Sequence, residues 1–319
     1  MNLDQGGDSD MFYFLTKRLF QMIFVALGVL IAVFLILHLI PGDPARIMAG
    51  EAASPEQLEQ MRINLGLNLP LHQQFFNYLT NLLRGDMGNS IRTGRPVARE
   101  IFDNRFFITI QLAVAGTSLS ILLGLFVGIL SAAIKNKYSF IEKMLMLLSL
   151  IGLSMPNFWL GILLIQLFSV KLGWLPIIGW GTWQQMVMPM LALGVSGMAV
   201  IARMSSNSLT EVLGQDYIRT AYAKGVKSSL IIFKHALKNA LIPVVTIVGL
   251  QFGNLLGGAI ITETIFAING LGRLIVDSIR AQDFPLLQGA VLVYALVFVV
   301  VNFLVDISYR FINKRIELN

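Results

Sequence analysis

Asp216, Arg219, Lys224 and Lys227 fall within one short stretch, DYIRTAYAKGVKSS, of a chain that is otherwise strongly apolar. On a helix, Ile218, Ala221, Tyr222 and Gly225 take positions i, i+3, i+4 and i+7 and share a face, with Arg219, Lys224 and Lys227 off it. Asp216 reads as the N-cap. Ala221, Ala223 and Gly225 are small enough to let another surface come close. A helix lying in lipid headgroups favours bulky apolar residues at such positions. The segment therefore reads as a short amphipathic helix gripped by a soluble partner.

The other reactive residue types do not assemble into a catalytic site. The sequence has no G-x-x-x-x-G-K-[ST] loop to cradle phosphates and no H-E-x-x-H. His38, His72 and His235 are scattered, and there is no cysteine for thiolate chemistry or disulfides. Gly194-Val195-Ser196-Gly197 resembles the serine motif of rhomboid-type intramembrane proteases. A serine nucleophile needs a base within reach, in those enzymes a histidine from the sixth span, and PLLQGAVLVYALVFVVVNFLV contains none. Small residues that let helices approach explain the motif better. The pairs Gly124/Gly128 and Gly253/Gly257 fit the same pattern, and Gly253, Gly257 and Gly258 imply tight packing or a wall beside a pathway.

The elements that must hold these residues are membrane helices. Of the 319 residues, 55% are hydrophobic and 13% charged, with a mean hydropathy of +0.72. Six apolar runs are long enough to cross a bilayer, at about 19–40, 106–134, 144–170, 186–202, 241–262 and 286–305. The fourth is short and can extend into the Trp-rich stretch before it. None alternates as a membrane barrel strand would. Lys17 and Arg18 precede a first run too long for a signal peptide, so it reads as a retained span. With the N-terminus inside, the inner segments hold 14 of the 24 Lys and Arg against 8 of the 18 acids, so the whole net charge of +6 lies on one side. That excess reflects inner basic loops rather than nucleic-acid binding. Trp174, Trp180 and Trp183 read as an outer interfacial cluster.

The expected organisation is a cytoplasmic tail at 1–18, disordered through residue 11, and a first span at 19–40. An extracytoplasmic loop follows at 41–105. A core at 106–305 contains the inner loop 203–240, and 306–319 form a second cytoplasmic tail. Within the outer loop, Ser54-Pro55-Glu56-Gln57 predicts a capped helix ending near Gly66. A second helix carries the stripe Leu71, Phe75, Tyr78, Leu79 and Leu82 and ends at Gly85.

DYIRTAYAKG and the later KHALKNALIPVV resemble the coupling-helix loop, or Glu-Ala-Ala region, of bacterial ABC-importer permeases, specifically the peptide branch. Thr220 stands at the usual glutamate, and the spacing from Gly225 to Pro243 is longer than in the founding motif; both departures are normal in that branch. HLIPGDPA at 38–45, LGLNLPL at 65–71, GDMGNSIRTGRPV at 85–97 and ETIFAINGLGRLIVDSIRAQDFPLLQGAV at 263–291 agree with it. The resemblance runs from Met11 onward and is strongest to permeases for dipeptides, oligopeptides and glutathione, with nickel permeases close by.

The resemblance implies an all-α, six-span permease of the type I importer fold in the bacterial inner membrane, with both termini cytoplasmic. It implies a second permease chain, two cytoplasmic ATPases and an external substrate-binding protein as partners. ATP and Mg would be bound by the ATPase, with no cofactor or metal in this chain. Asp216, Tyr217, Arg219, Thr220, Ala221, Ala223, Lys224 and Gly225 would form the ATPase-coupling segment, Gly225 allowing close approach. Spans three to six would line the pathway; Pro156 breaks the third, with Asn157 a polar group nearby, and Pro156, Asn157, Gly253, Gly257 and Glu263 are the candidates. Glu263 either meets a peptide amine or belongs to the outer loop.

Overall fold

The computed structural model describes residues 5–39, 44–50, 52–135 and 137–312. The elements in chain order begin with α1 (Gln5–Leu39), α2 (Pro44–Ala49), α3 (Pro55–Asn64), α4 (Leu71–Leu83), α5 (Val97–Phe102), α6 (Arg105–Ile134) and α7 (Ser139–Ser154). Then come α8 (Asn157–Leu164), which continues as a π-helical segment (Ile165–Lys171), α9 (Trp183–Leu213) and α10 (Asp216–Ala223). A short α11 (Ser228–Leu230) passes through a second π-helical segment (Ile231–Ala236) into α12 (Leu237–Ile265), and α13 (Leu271–Arg280) and α14 (Phe284–Ile312) complete the chain. Among the described residues there is no strand, only an isolated bridge between Asn89 and Pro96.

Among the described residues five helical stretches are long and apolar enough to span a bilayer: Thr16–Leu35, Val97–Ile134, Trp183–Leu213, Ser228–Ile265 and Phe284–Val305. The pair α7 and α8 makes a sixth, bent by 103°. The protein is thus an all-α membrane protein of five to six spans. The third span, expected over 144–170 with a break at Pro156, is broken there. Met155 adopts an extended conformation (φ −81°, ψ 125°), as a residue before proline is driven to do, and α8 restarts at Asn157 with Pro156 at its N-cap. The fourth span is longer than expected, running from Trp183 to Leu213, so residues 203–213, expected in an inner loop, are helix. Residues 5–11, expected to be disordered, belong to α1, which begins at Gln5. Residues 1–4 and the basic pair Lys314 and Arg315 lie outside the described residues, as does the side chain of His38.

The chain divides into two compact units: Met1–Ile108 with Asn269–Val300, and Thr109–Ile268 with Val301–Asn319. In the first, α3 carries the expected capping box: the Gln57 N–H donates to Ser54 Oγ at 3.3 Å and the Ser54 N–H to Gln57 Oε1 at 2.9 Å. Gly66 ends this helix at φ +69°. Phe75 and Tyr78 of α4 pack on Phe34 of α1 with ring centroids 5.3 and 6.2 Å away, and burial pushes the Tyr78 hydroxyl up to about 12. Leu71, expected on this stripe, is instead exposed. Val97 and Ile101 of α5, Leu271, Leu274 and Ile275 of α13, and Leu286, Leu287, Ala290 and Val293 of α14 form the core.

Asp283 clips this unit together. Its buried carboxylate accepts from Ser90 Oγ, from the Ile91 and Arg92 N–H groups at 3.1 and 3.3 Å, and from the Leu286 N–H at 3.3 Å. The last bond makes Asp283 a side-chain cap for α14.

The second unit is built around α9. Gly116, Ser120, Gly124 and Gly128 recur every fourth residue on α6 and meet it at close range. A Cβ at Gly124 would lie 2.9 Å from Met198 O, and one at Gly128 would lie 2.6 Å from Ala202 O. Gly152 of α7 and Gly161 of α8 make similar approaches, to Val195 and to Phe266.

Candidate functional site

The charged stretch from Asp216 folds as expected for a short helix, with its details changed. Gly214 ends α9, and Gln215, extended at φ −75° and ψ 153°, takes the N-cap that Asp216 was expected to fill. Asp216 is the first helical residue, where a carboxylate suits the helix dipole. It pairs with Arg219 at 3.4 Å, but both side chains are solvated, so the pair contributes little. Thr220 Oγ1 donates to Asp216 O at 3.0 Å, and Asn239 Nδ2 donates to the Tyr217 hydroxyl at 3.0 Å.

Ile218 has no exposed surface and anchors α10 among Leu209, Val212, Ile231, Ala236 and Ala240, with Ala221 and Val226 partly buried beside it. The expected face is therefore half right. Tyr222 and Gly225 are exposed; for Gly225 the chain leaves the helix at Lys224, so the i+7 position no longer exists. Gly225 sits at φ +76°, and its N–H donates to Tyr222 O at 2.9 Å while the Val226 N–H donates to Ala221 O at 3.2 Å. This is a left-handed helix terminus, the conformation that selects glycine. Among the described residues nothing lies within 4 Å of a Cβ built there, so crowding by them is not the reason for the residue. The outward surface consists of Tyr217 and Tyr222, 41% and 46% exposed, around Arg219, Thr220, Ala223 and Lys224. Two exposed tyrosines beside an arginine suit a protein contact.

The pathway candidates separate into two groups. Pro156 and Gly257 are exposed and Asn157 is partly so. Gly253 and Glu263 are buried in α12. Glu263 is wholly enclosed and accepts from Thr109 Oγ1 of α6 at 2.6 Å; its carbonyl accepts from the Ile268 N–H at 2.8 Å. It therefore neither belongs to an outer loop nor stands open to a ligand, contrary to both expected readings. The low-dielectric site is tolerable because the carboxyl group is hydrogen-bonded. Gln251 and Asn254, polar residues in the middle of α12, were missed by the sequence reading. The signal was available, since amide side chains inside an apolar span need a polar surrounding.

Ser196 donates to Leu193 O of its own helix at 3.4 Å. Its neighbours Gly194 and Gly197 press on α6, where Ser120 Oγ lies 2.7 Å from Gly194 O. The motif is a helix–helix contact. Trp180 Nε1 donates to Gln111 Oε1 at 3.1 Å, whereas Trp174 and Trp183 are exposed. Among the described residues no group of three or more His, Cys, Asp or Glu is placed to hold a metal ion.

Comparison with known proteins fits this architecture. Residues 100–318 match the family described as the binding-protein-dependent transport system inner membrane component, and residues 11–113 match the N-terminal model of such membrane components. The glutathione transport system permease protein GsiC of Pectobacterium atrosepticum is 48% identical over 305 residues, covering 96% of this chain and 98% of its own. Its counterparts in Salmonella typhimurium and Escherichia coli K12 are 45% and 44% identical over 307 residues, covering 96% of this chain and 99% of theirs. A chain of the inward-facing MetNI methionine ABC transporter shares the fold at a TM-score of 0.57 and 20% identity, covering 67% of this chain and 96% of that one. This protein thus belongs to the binding-protein-dependent inner membrane components, the permease subunits of ABC importers, which are transport subunits rather than enzymes.

Proposed function

We propose that the chain is one half of the translocation pathway of an ATP-driven importer for short peptides, glutathione among them. The observation that carries this reading is the 48% identity to a glutathione permease across nearly the full length of both chains. In this reading a second, different permease chain completes the pathway. Two cytoplasmic ATPases bind ATP and Mg, an external binding protein delivers substrate, and both termini of this chain are cytoplasmic. The excess of basic residues on one side supports that orientation.

The α10 segment is the coupling element. Its tyrosines, Arg219, Thr220, Ala223 and Lys224 contact the ATPase, and Gly225 shapes the turn beyond them. When ATP draws the ATPases together, α10 is pulled with them. Ile218 ties it to the end of α9, and the close α6–α9 seam carries the displacement into the membrane as a rigid-body movement.

The reading is tested by purifying the complex from its native membrane, identifying the ligand on the co-purified binding protein by mass spectrometry, and measuring its ATP-dependent uptake in proteoliposomes. Glutathione or short peptides are expected. A nickel chelate as the sole transported ligand would overturn the peptide assignment while leaving the permease fold intact.

A further inference from the structure

Gln251 stands at the midpoint of the 29-residue helix α12, and no charged residue lies between Lys238 and Glu263. Asn254, one turn on, donates from Nδ2 to Gln251 Oε1 at 3.2 Å. The remaining halves of the pair, Gln251 Nε2 and Asn254 Oδ1, make no hydrogen bond among the described residues, and Asn254 is exposed. Amide groups left unpaired in hydrocarbon cost several kcal/mol each, so this face meets water or a polar ligand rather than lipid tails.

Gln251, Asn254 and Gly258 fall at i, i+3 and i+7, on one side of the helix. Asn157, at the break after Pro156, lies over Gly258, where a Cβ would come within 3.0 Å of Asn157 Nδ2. Its amide likewise has no hydrogen bond among the described residues, and it is partly exposed. Packing thus accounts for Gly258. It does not account for Gly257, where a Cβ would meet nothing within 4 Å. The three amides form a column about 10 Å long, from the helical rise over seven residues. That is about the length of an extended tripeptide.

We propose that Gln251, Asn254 and Asn157 are a substrate-reading stretch of the pathway. They hold the peptide groups of the passing substrate and do not read its side-chain charge. Gln251 Nε2 offers a donor, Asn254 Oδ1 an acceptor and Asn157 both, the complement of a peptide N–H and C=O. Charge selection needs a ring of charged side chains, and this stretch has none. The inference rests on the peptide-import reading and goes beyond it by naming what the membrane subunit recognises.

The test uses the complete transporter in proteoliposomes at saturating, ligand-loaded binding protein. The probes are Ala-Ala-Ala, Ala-Lys-Ala, Ala-Glu-Ala and glutathione, with uptake measured per ATP hydrolysed. Gln251→Leu combined with Asn254→Leu should lower the ratio about tenfold for every probe, the scale of one or two lost hydrogen bonds, while the partner subunits still co-purify. Asn254→Asp, which keeps the shape and adds a charge, should favour Ala-Lys-Ala over Ala-Glu-Ala by about tenfold. Wild-type uptake by the leucine variant, or an unchanged charge preference in Asn254→Asp, overturns the proposal. So does loss of the second permease from the leucine variant, which would make the amides an intersubunit contact. A wild-type complex that carries none of the four probes would refute peptide import itself, a failure distinct from these.

Discussion

Replacing Ile218 by alanine separates the anchor of α10 from its outward surface. Ile218 is completely buried and is the fully buried member of an eight-residue helix. A helix that short is not stable by itself, and its order comes from tertiary packing. The exposed Asp216–Arg219 pair and the Tyr217–Asn239 hydrogen bond cannot substitute for that packing. Isoleucine-to-alanine changes at such sites cost about 2–5 kcal/mol, and isoleucine-to-valine about 0.5–1.5 kcal/mol. At 1.4 kcal/mol per factor of ten, a loss of about 3 kcal/mol depletes the docked arrangement of α10 on the order of a hundredfold. The substitution adds nothing to the outward face. It should therefore weaken the ATPase contact only by releasing the helix.

The assay compares wild type, Ile218→Val and Ile218→Ala in three measurements: ATPase co-purification, substrate uptake per ATP hydrolysed, and tryptic cleavage after Arg219 and Lys224. The expected order is graded, with valine close to wild type. Alanine should lose most uptake and become readily cleaved, while membrane insertion is unchanged. If Ile218→Ala retains ATPase binding and uptake within twofold of wild type, α10 does not need this anchor and the mechanical link through α9 is wrong.

Three further outcomes follow from the geometry. Gly225→Asn should be tolerated by the backbone and Gly225→Val should cost about 1–2 kcal/mol, because the site is left-handed and otherwise open; thermal unfolding of the two variants checks this order. Asp283→Ala removes a helix cap and three bonds to the Ser90–Arg92 loop, and should lower stability by about 2–4 kcal/mol, read as earlier proteolysis of the 88–95 loop. The Glu56 carboxylate is held below its ordinary value by the Ser54 hydroxyl, so its contribution to α3 is present above pH 4.5 and lost as the pH falls through the lowered folded value. Protection from hydrogen exchange in residues 55–64, taken relative to the intrinsic rate at each pH, should fall over that interval in wild type and lose this dependence in Glu56→Gln.

Local patterns were the legible part of the sequence. The Ser54–Gln57 box, the stop at Gly66 and the break at Pro156 each depend on residues a few positions apart. The 103° bend at that break does not, since its angle is set by what α7 and α8 pack against. The helix α13 was missed although Leu271, Leu274, Ile275 and Ser278 carry the helical period, because it lies in a stretch taken as a connection between spans. Gly225 was expected on the helix face and lies just beyond the helix at φ +76°; spacing alone does not reveal that a position needs a positive φ. The burial of Glu263 was beyond reach, since Thr109 is 154 positions away, and so was the Ser90–Asp283 clip across 193 positions. Such pairs are created by tertiary structure and leave no local trace.

The central claim is that energy from a soluble ATPase enters this permease through the outward surface of α10. Tyr222, half-exposed and free of the core, is the position to probe. A photo-cross-linking amino acid placed there in the assembled transporter should attach to the ATPase subunit, with a yield that changes when ATP is added. Attachment to the external binding protein, or to lipid alone in a complex that still transports, would contradict the account.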